Sequence, residues 1–279
     1  GFIAEVNKTG KGVVRIQYLG GAPEIGSPLE VVQKMTRGLY DIVSITGAYY
    51  QNVLPEADAW KLTEVPPTVL RKNGGWAYMQ KLHAAKNMYV LARLHYGTQF
   101  HLYLAKDKKI DKPNLKGLHL RVAPIYRNFF QALGATTQFS TLAETYTLME
   151  NKTVNGYGWP VTGLQPGWEK VTGFRVDPGF YDADIELLVN LRTWRRLDKK
   201  AQAVLTTAAM KFEQQGMVQD AKAVMVWRKK QDGWNIKVIE FTGADREAWL
   251  KAAREAGWAG VNKVSPKTGP ELRKFFVKQ

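Results

Sequence analysis

Apolar and polar positions along the chain change period repeatedly, from runs of alternating or continuous apolar residues to stretches spaced at three and four. Val13 to Tyr18 predicts a strand. Ser27-Pro28-Leu29-Glu30 then reads as a cap, a proline in the first turn and an acidic helix start, with a helix of about ten residues ending near Gly38. Asp41 to Ile45 suits a strand buried on both faces. A helix over Gly75 to Ala85 and strands over Met88 to Leu94 and Gln99 to Ala105 continue the alternation. Leu118 to Val122, Asn128 to Leu133, Thr136 to Phe139, Leu142 to Glu150 and Val154 to Pro160 repeat it. Asp184 to Asn190 predicts a returning strand, and Asp198 to Lys230 a nearly continuous helix, with Ala201, Val204, Leu205, Ala208 and Phe212 at helical spacing. A strand at Ile236 to Ile239, an amphipathic helix around Asp245 to Ala256 and a terminal helix from about Gly269 complete the pattern. Such alternation argues for open α/β sheets with ligands at the carboxyl ends of strands.

The 279 residues allow roughly two domains of ordinary size. No run approaches the roughly 18 to 20 apolar residues of a membrane span, and the start at Gly1-Phe2-Ile3 lacks a signal core, so any targeting peptide is expected to have gone already or never to have been present. The absence of cysteine removes thiolate nucleophiles, disulfides and cysteine zinc sites, and suits export. A net charge of +15 invites a nucleic-acid reading, but basic and acidic residues alternate along predicted helices and no groove-reading motif is present. The densest basic group, Arg192, Arg195, Arg196, Lys199 and Lys200, reads as a solvated face at a helix start.

Enzyme signatures are missing: no phosphate loop, no Gly-x-Ser-x-Gly elbow, no His-Glu-x-x-His helix. His95, His101 and His119 sit where neighbouring strands could bring them together for metal or acid–base work, although strand histidines are more often structural. Arg121 stands apart, because it ends an apolar strand before Ala123-Pro124. A guanidinium buried there needs an acceptor, either a carboxylate of the protein or an anionic ligand.

The series Leu115-Lys116-Gly117-Leu118-His119-Leu120-Arg121-Val122, Tyr126 to Ala135, Ala143-Glu144-Thr145-Tyr146 and Val154-Asn155-Gly156 resembles the solute-binding proteins of TRAP transporters, the tripartite ATP-independent periplasmic systems. Gly38-Leu39-Tyr40-Asp41, Leu54-Pro55-Glu56-Ala57 and Trp194 to Leu205 extend the similarity over nearly the whole chain. It implies a periplasmic receptor of the DctP type, with two α/β lobes of mixed sheets flanked by helices, a ligand cleft between them and a long bracing helix. Lobe I is expected over 1–96 plus 184–223, and lobe II over 97–183 plus 224–279. No cofactor, metal or catalysis is implied; the partners would be a small organic carboxylate and the membrane permease, which would supply the only membrane contact. The rival class is a cleft lyase or decarboxylase using His95, His101 or Asp182.

By that resemblance Arg121 matches the arginine that clamps the ligand carboxylate. The same likeness sets Ser44, Ile45, Thr46 and Tyr49 on the lobe I wall, Tyr96, Gly97, Thr98 and Gln99 at the first crossing, and Tyr126 after the arginine. Leu142 and Trp159 would come from lobe II, and Tyr181, Asp182 and Asp184 from the return crossing. For Ile45 and Leu142, packing is the equal alternative. Relatives that bind sugar acids carry arginines where this chain has Gln99 and Tyr49, and their arginine loop is longer; Asn155 replaces a frequent aspartate. Family members begin with a strand and most of a helix ahead of the equivalent of Phe2. With tyrosines and Trp159 around one guanidinium, the ligand expected is a monocarboxylate with an aromatic or apolar body, its nearest competitors being an aliphatic oxo or hydroxy acid and a dicarboxylate.

Overall fold

The computed structural model describes residues 1–21 and 24–278. Its strands are β1 (Ile42–Ile45), β2 (Met88–Arg93), β3 (Phe100–Leu104), β4 (His119–Val122), β5 (Thr136–Phe139), β6 (Gly156–Pro160), β7 (Phe174–Asp177), β8 (Glu186–Asn190) and β9 (Lys237–Glu240). Its helices are α1 (Phe2–Thr9), α2 (Val31–Thr36), α3 (Pro67–Asn73), α4 (Gly75–Ala84), α5 (Arg127–Ala132), α6 (Thr145–Glu150), α7 (Trp168–Val171), α8 (Leu191–Arg196), α9 (Lys199–Gly233), α10 (Gly243–Val264) and α11 (Thr268–Phe276).

Two sheets form. The first has the order β1-β8-β2, with β8 antiparallel to both neighbours; the second, β5-β4-β6-β3-β7-β9, is mixed. The chain passes from the first to the second between β2 and β3 and returns between β7 and β8, so 94–99 and 178–185 are the crossings. They are tied together where Gln99 bridges Asp182 and Ala183 N donates to Thr98 O at 2.7 Å.

One apolar core runs through both sheets on the side of α10, from Met79 and Trp60 through Tyr181 and Phe129 to Trp249 and Trp258. Helix α10 is longer than its amphipathic core predicts, because Trp249 packs against Phe129 and Phe241 while Trp258 meets Phe276. The terminal helix α11 packs on α3, α4 and the 3₁₀ segment Pro55–Leu62, elements beside the first sheet.

Helix α9 is 35 residues long, about 50 Å, and takes its start from the Asp198 carboxylate, which accepts from Ala201 N at 2.7 Å. Leu205, Ala208 and Ala209 bury its first half against β2 and β8 with Val6 of α1. Gly216 is required where the helix crosses the end of β2, since a Cβ there would strike the Leu94 carbonyl. Two acids fasten this half: Glu213 accepts from Arg71 Nη2 (2.8 Å) and Arg93 N (2.9 Å), and Asp220 accepts from Tyr96 N (3.2 Å). The far half is held by Arg228, which donates to Asp177 at 2.6 Å, and by Gln231, which donates to Val161 O at 2.7 Å.

Residues 13 to 18 form no strand. The Asn7 side chain donates to Ile16 O (2.9 Å) and accepts from Ile16 N (2.7 Å), so that backbone is satisfied without a partner strand. The ten-residue helix expected up to Gly38 is shortened to α2.

His83, fully buried on α4, donates through Nδ1 to Met79 O (2.7 Å) and accepts at Nε2 from the Tyr50 hydroxyl (2.9 Å). Both contacts suit the neutral ring, and burial lowers its pKa to about 4 from an ordinary 6.5. The unfolded chain therefore takes up the proton first. This group's stabilisation is complete above pH 6.5 and is lost as the pH falls toward 4, about 3 kcal/mol over that window. Urea midpoints measured across it should fall steeply in the wild type and less steeply in His83→Gln.

Candidate functional site

Leu120 and Val122 of β4 face the core under α5, so alternation turns Arg121 to the opposite face of the second sheet, level with Gln138 of β5 and Tyr157 of β6. Only 3% of it is exposed. Its Nη2 donates to Ser140 O (2.8 Å), its Nη1 to the Tyr126 hydroxyl (3.1 Å) and its Nε weakly to Ser140 Oγ (3.4 Å). All three acceptors are neutral. Among the described residues no carboxylate lies within the 4.0 Å of a salt bridge to Arg121. The exposed Glu144 feels its field, but that carboxylate binds Thr141 N and Oγ1, each at 2.7 Å. A protein ion pair, one of the two readings of this arginine, is thus not formed.

Tyr126 is a fixed part of the arrangement. It accepts from Arg121 and donates to Gly158 O at 2.5 Å, and burial pushes its hydroxyl up to about 12 against the opposing pull of Arg121. Gly158 has to be glycine, because a Cβ would stand on the Tyr126 ring.

From the first sheet, the 3₁₀ turn Gly47–Tyr49 packs against the turn Pro124–Tyr126 that follows Arg121. Half-buried Tyr49 lies between two charges: burial raises its hydroxyl pKa, Arg121 lowers it and Asp184 raises it. Asp184 is 2% exposed, accepts from Gly47 N at 2.7 Å through Oδ2, and has no partner at Oδ1. Thr46, also buried, has an unpartnered hydroxyl. Trp159, two residues beyond Tyr157, shares the face of Arg121; its ring packs against Trp168 and its indole donates to Gly163 O at 3.0 Å. Leu142 is exposed in the segment after Ser140.

The remaining predicted residues fall elsewhere. Tyr96, Gln99, Tyr181 and Asp182 line a cleft of about 410 Å³ between the crossings, α10 and Lys61 to Glu64, which includes neither Arg121 nor Tyr49, Thr46 or Tyr126. Volume alone would favour this cleft, but a buried charge with neutral partners is the stronger chemical signal. Two of its residues are already used by the fold: the Tyr181 hydroxyl donates to Ala253 O (2.7 Å), and Asp182 accepts from Arg93 Nη2 (2.7 Å) and Gly97 N (2.7 Å). Burial drives the Asp182 carboxyl up to about 7, against Arg93. Asp184 and Glu186 follow at alternate positions, and burial, then Asp184, holds the Glu186 carboxyl well above its ordinary range.

The three histidines do not converge. His95 Nδ1 lies 2.9 Å from Asp220 on α9, His101 Nδ1 2.8 Å from Asp177, and His119 Nδ1 2.8 Å from Thr136 Oγ1. Each has its own partner on a different element. Arg93, Ser140 and Gly158 were not among the predicted residues. Arg93 carried the same signal as Arg121, a guanidinium in an apolar strand; Ser140 carried none.

The family model of bacterial extracellular solute-binding protein, family 7 (DctP) matches residues 1–259. The chain belongs to this family. Its members are extracellular solute receptors, which removes the reading as a cleft lyase or decarboxylase. Among curated relatives, a monocarboxylate 2-oxoacid-binding periplasmic protein of Nostoc is 28% identical over 145 residues, 50% of this chain and 40% of that protein. An uncharacterized Haemophilus influenzae protein is 23% identical over 68% of this chain and 60% of its own length. The matched region thus spans less than two thirds of either. A TRAP periplasmic solute-binding protein of Desulfovibrio salexigens, solved with orotic acid, superposes with a TM-score of 0.85 at 17% identity, covering 99% of this chain and 90% of that one. A Ralstonia eutropha counterpart, solved with (S)-2-acetolactate, gives 0.81 at 18% identity, covering 100% and 93%. These likenesses establish the two-lobed fold. Among the described residues no helix is long and apolar enough to cross a membrane.

Removing one member of the Arg93–Asp182 pair leaves a buried charge uncompensated. Arg93→Met should cost about 3–5 kcal/mol in urea denaturation, and adding Asp182→Asn should recover part of that loss.

Proposed function

We propose that this chain captures a small organic carboxylate between its lobes through Arg121 and passes it to the membrane permease of a TRAP transporter. The observation that carries the reading is the buried Arg121 guanidinium, whose only hydrogen-bond partners among the described residues are the Tyr126 hydroxyl and Ser140. A charge so enclosed is costly without an anion, and a carboxylate matches its planar fork. Tyr49 and Tyr126 stand beside the guanidinium and Trp159 on the same face, which supports a monocarboxylate with a ring or apolar body. Thr46 and Leu142 add one wall contact each in this reading, while Gln99, Tyr96, Tyr181 and Asp182 act at the crossing, as parts of the hinge more than as ligand contacts. Orotic acid in the Desulfovibrio neighbour is a ring acid of that kind.

A second reading, an aliphatic 2-oxoacid, is favoured by the Nostoc relative, which is named for such ligands. A thermal-shift screen of ring acids, 2-oxoacids and dicarboxylates separates the two, since ligand at about 100 times its Kd stabilises the fold by about 2.7 kcal/mol. For the best acid, calorimetry on Arg121→Ala should show a loss of about 10²- to 10⁴-fold, from two charge-assisted bonds of roughly 1.5–3 kcal/mol each. Arg121→Lys should retain only part of the affinity. Undiminished binding in Arg121→Ala would remove the assignment.

A further inference from the structure

The three strands of the first sheet share one far end. The register sets Ile42 beside Val189 and Met88 beside Asn190 there, while Ile45, Glu186 and Arg93 lie together at the cleft end. Side chains weld this far pole: Asn87 donates to Thr36 O (2.8 Å), Asn190 to Met35 O (2.6 Å) and Thr193 to Asp41 (2.7 Å). The segments brought together are therefore 36–41, 85–87 and 190–200.

Their charges are one-sided. Arg37 and Lys86 are exposed, as are Arg192, Arg195 and Arg196 on α8 and Lys199 and Lys200 at the start of α9. The acids in the same segments are Asp41 and Asp198, each already engaged, Asp41 by Thr193 and Asp198 by Ala201 N. Among the described residues none of the seven cations has a salt-bridge partner, although cations elsewhere on the surface, such as Lys211 and Arg273, do.

Local stability does not explain this arrangement. Asp198 caps α9, but the first turn beyond it contains no acid, and Lys199 and Lys200 stand at the positive end of the macrodipole, where cations are unfavourable. A cluster of cations answered by so little negative charge is one to explain by function. On segment 36–41 of the same pole Leu39 is 64% exposed. An exposed apolar side chain on a pole rich in flexible cations suits a lipid headgroup layer, which accepts both, better than an acidic protein surface.

We propose that the far pole of lobe I is a docking surface for membranes rich in anionic phospholipid. The receptor would be held at the bilayer by electrostatic attraction, with its cleft at the opposite end of the sheet free to bind and release. This adds a lipid contact to the one expected through the permease alone, and it does not depend on the ligand.

The test is co-sedimentation of the whole chain with vesicles of phosphatidylcholine, with and without phosphatidylglycerol. Binding to the anionic vesicles alone is expected at about 0.15 M salt, with loss near 1 M, where the Debye length shrinks from about 8 to about 3 Å. The variant Arg195→Gln/Arg196→Gln/Lys199→Gln/Lys200→Gln should partition about tenfold more weakly or worse. A matched fourfold variant elsewhere on the surface, Lys222→Gln/Lys229→Gln/Lys230→Gln/Lys251→Gln, should bind as the wild type does. Circular dichroism on both separates loss of binding from loss of fold. Equal binding to neutral vesicles, or full binding by the first fourfold variant, would overturn the proposal. So would association with polyglutamate or duplex DNA at about 0.15 M salt without any with the vesicles.

Discussion

The pairing of Arg93 with Asp182 fixes the geometry on which both lobes depend. Arg93 ends the strand that leaves the first sheet, and Asp182 opens the segment that returns to it, so one 2.7 Å contact ties the two crossings. The same carboxylate holds Gly97 N, and the backbone of Arg93 is held in turn by Glu213 from α9. The guanidinium has this one charged partner and faces the rings of Trp60 and Tyr96, while its Nε and Nη1 stay buried without a hydrogen bond, so the pair stands against a large desolvation cost. Strand β2, the two crossings and α9 thus meet around this one ion pair.

Among the described residues three arginines are buried, and their surroundings differ in kind. Arg175 is answered by Asp177 at 3.0 Å and Gln231 at 2.7 Å, and Arg93 by Asp182. Arg121 has only a hydroxyl, a carbonyl and a second weak hydroxyl. Identical side chains, similarly buried, differ in whether the protein supplies the counter-charge, and for Arg121 the proposed function assigns that part to an anionic ligand. Tyr49 feels both this cation and Asp184 of the return crossing, whose carboxylate accepts from Gly47 N at 2.7 Å.

Much of the fold was legible because apolar periodicity marks elements that bury one face, and the strands from Met88, Leu118, Thr136 and Asp184 all form within a residue or two. Strand β7 was not read: Phe174-Arg175-Val176-Asp177 looks polar in sequence, and becomes a buried strand only because Arg175 and Asp177 neutralise each other. The segment from Val13 misled in the other direction, since its apolar alternation meets the side chain of Asn7 in place of a neighbouring strand. Arg121 was legible as a cation needing an anion. That Tyr126 and Gly158 would set its orientation was not, because their contact depends on β6 lying beside β4, a pairing no local pattern encodes. The cluster of histidines failed for a similar reason: each ring found its own partner, His119 and His101 on the neighbouring strands β5 and β7 and His95 on α9.

Helix α9 is attached to the first sheet through Glu213 and Asp220 and to the second through Arg228 and Gln231. Between the two sets of anchors lie about two turns, from residue 221 to 227, with Met225 and Val226 facing solvent. A stiff rod clamped at both ends resists shear and stretch far more than bending or twist. Along this rod the softest coordinate is therefore a flexure of those two turns, so relative displacement of the two ends of α9 costs least as bending.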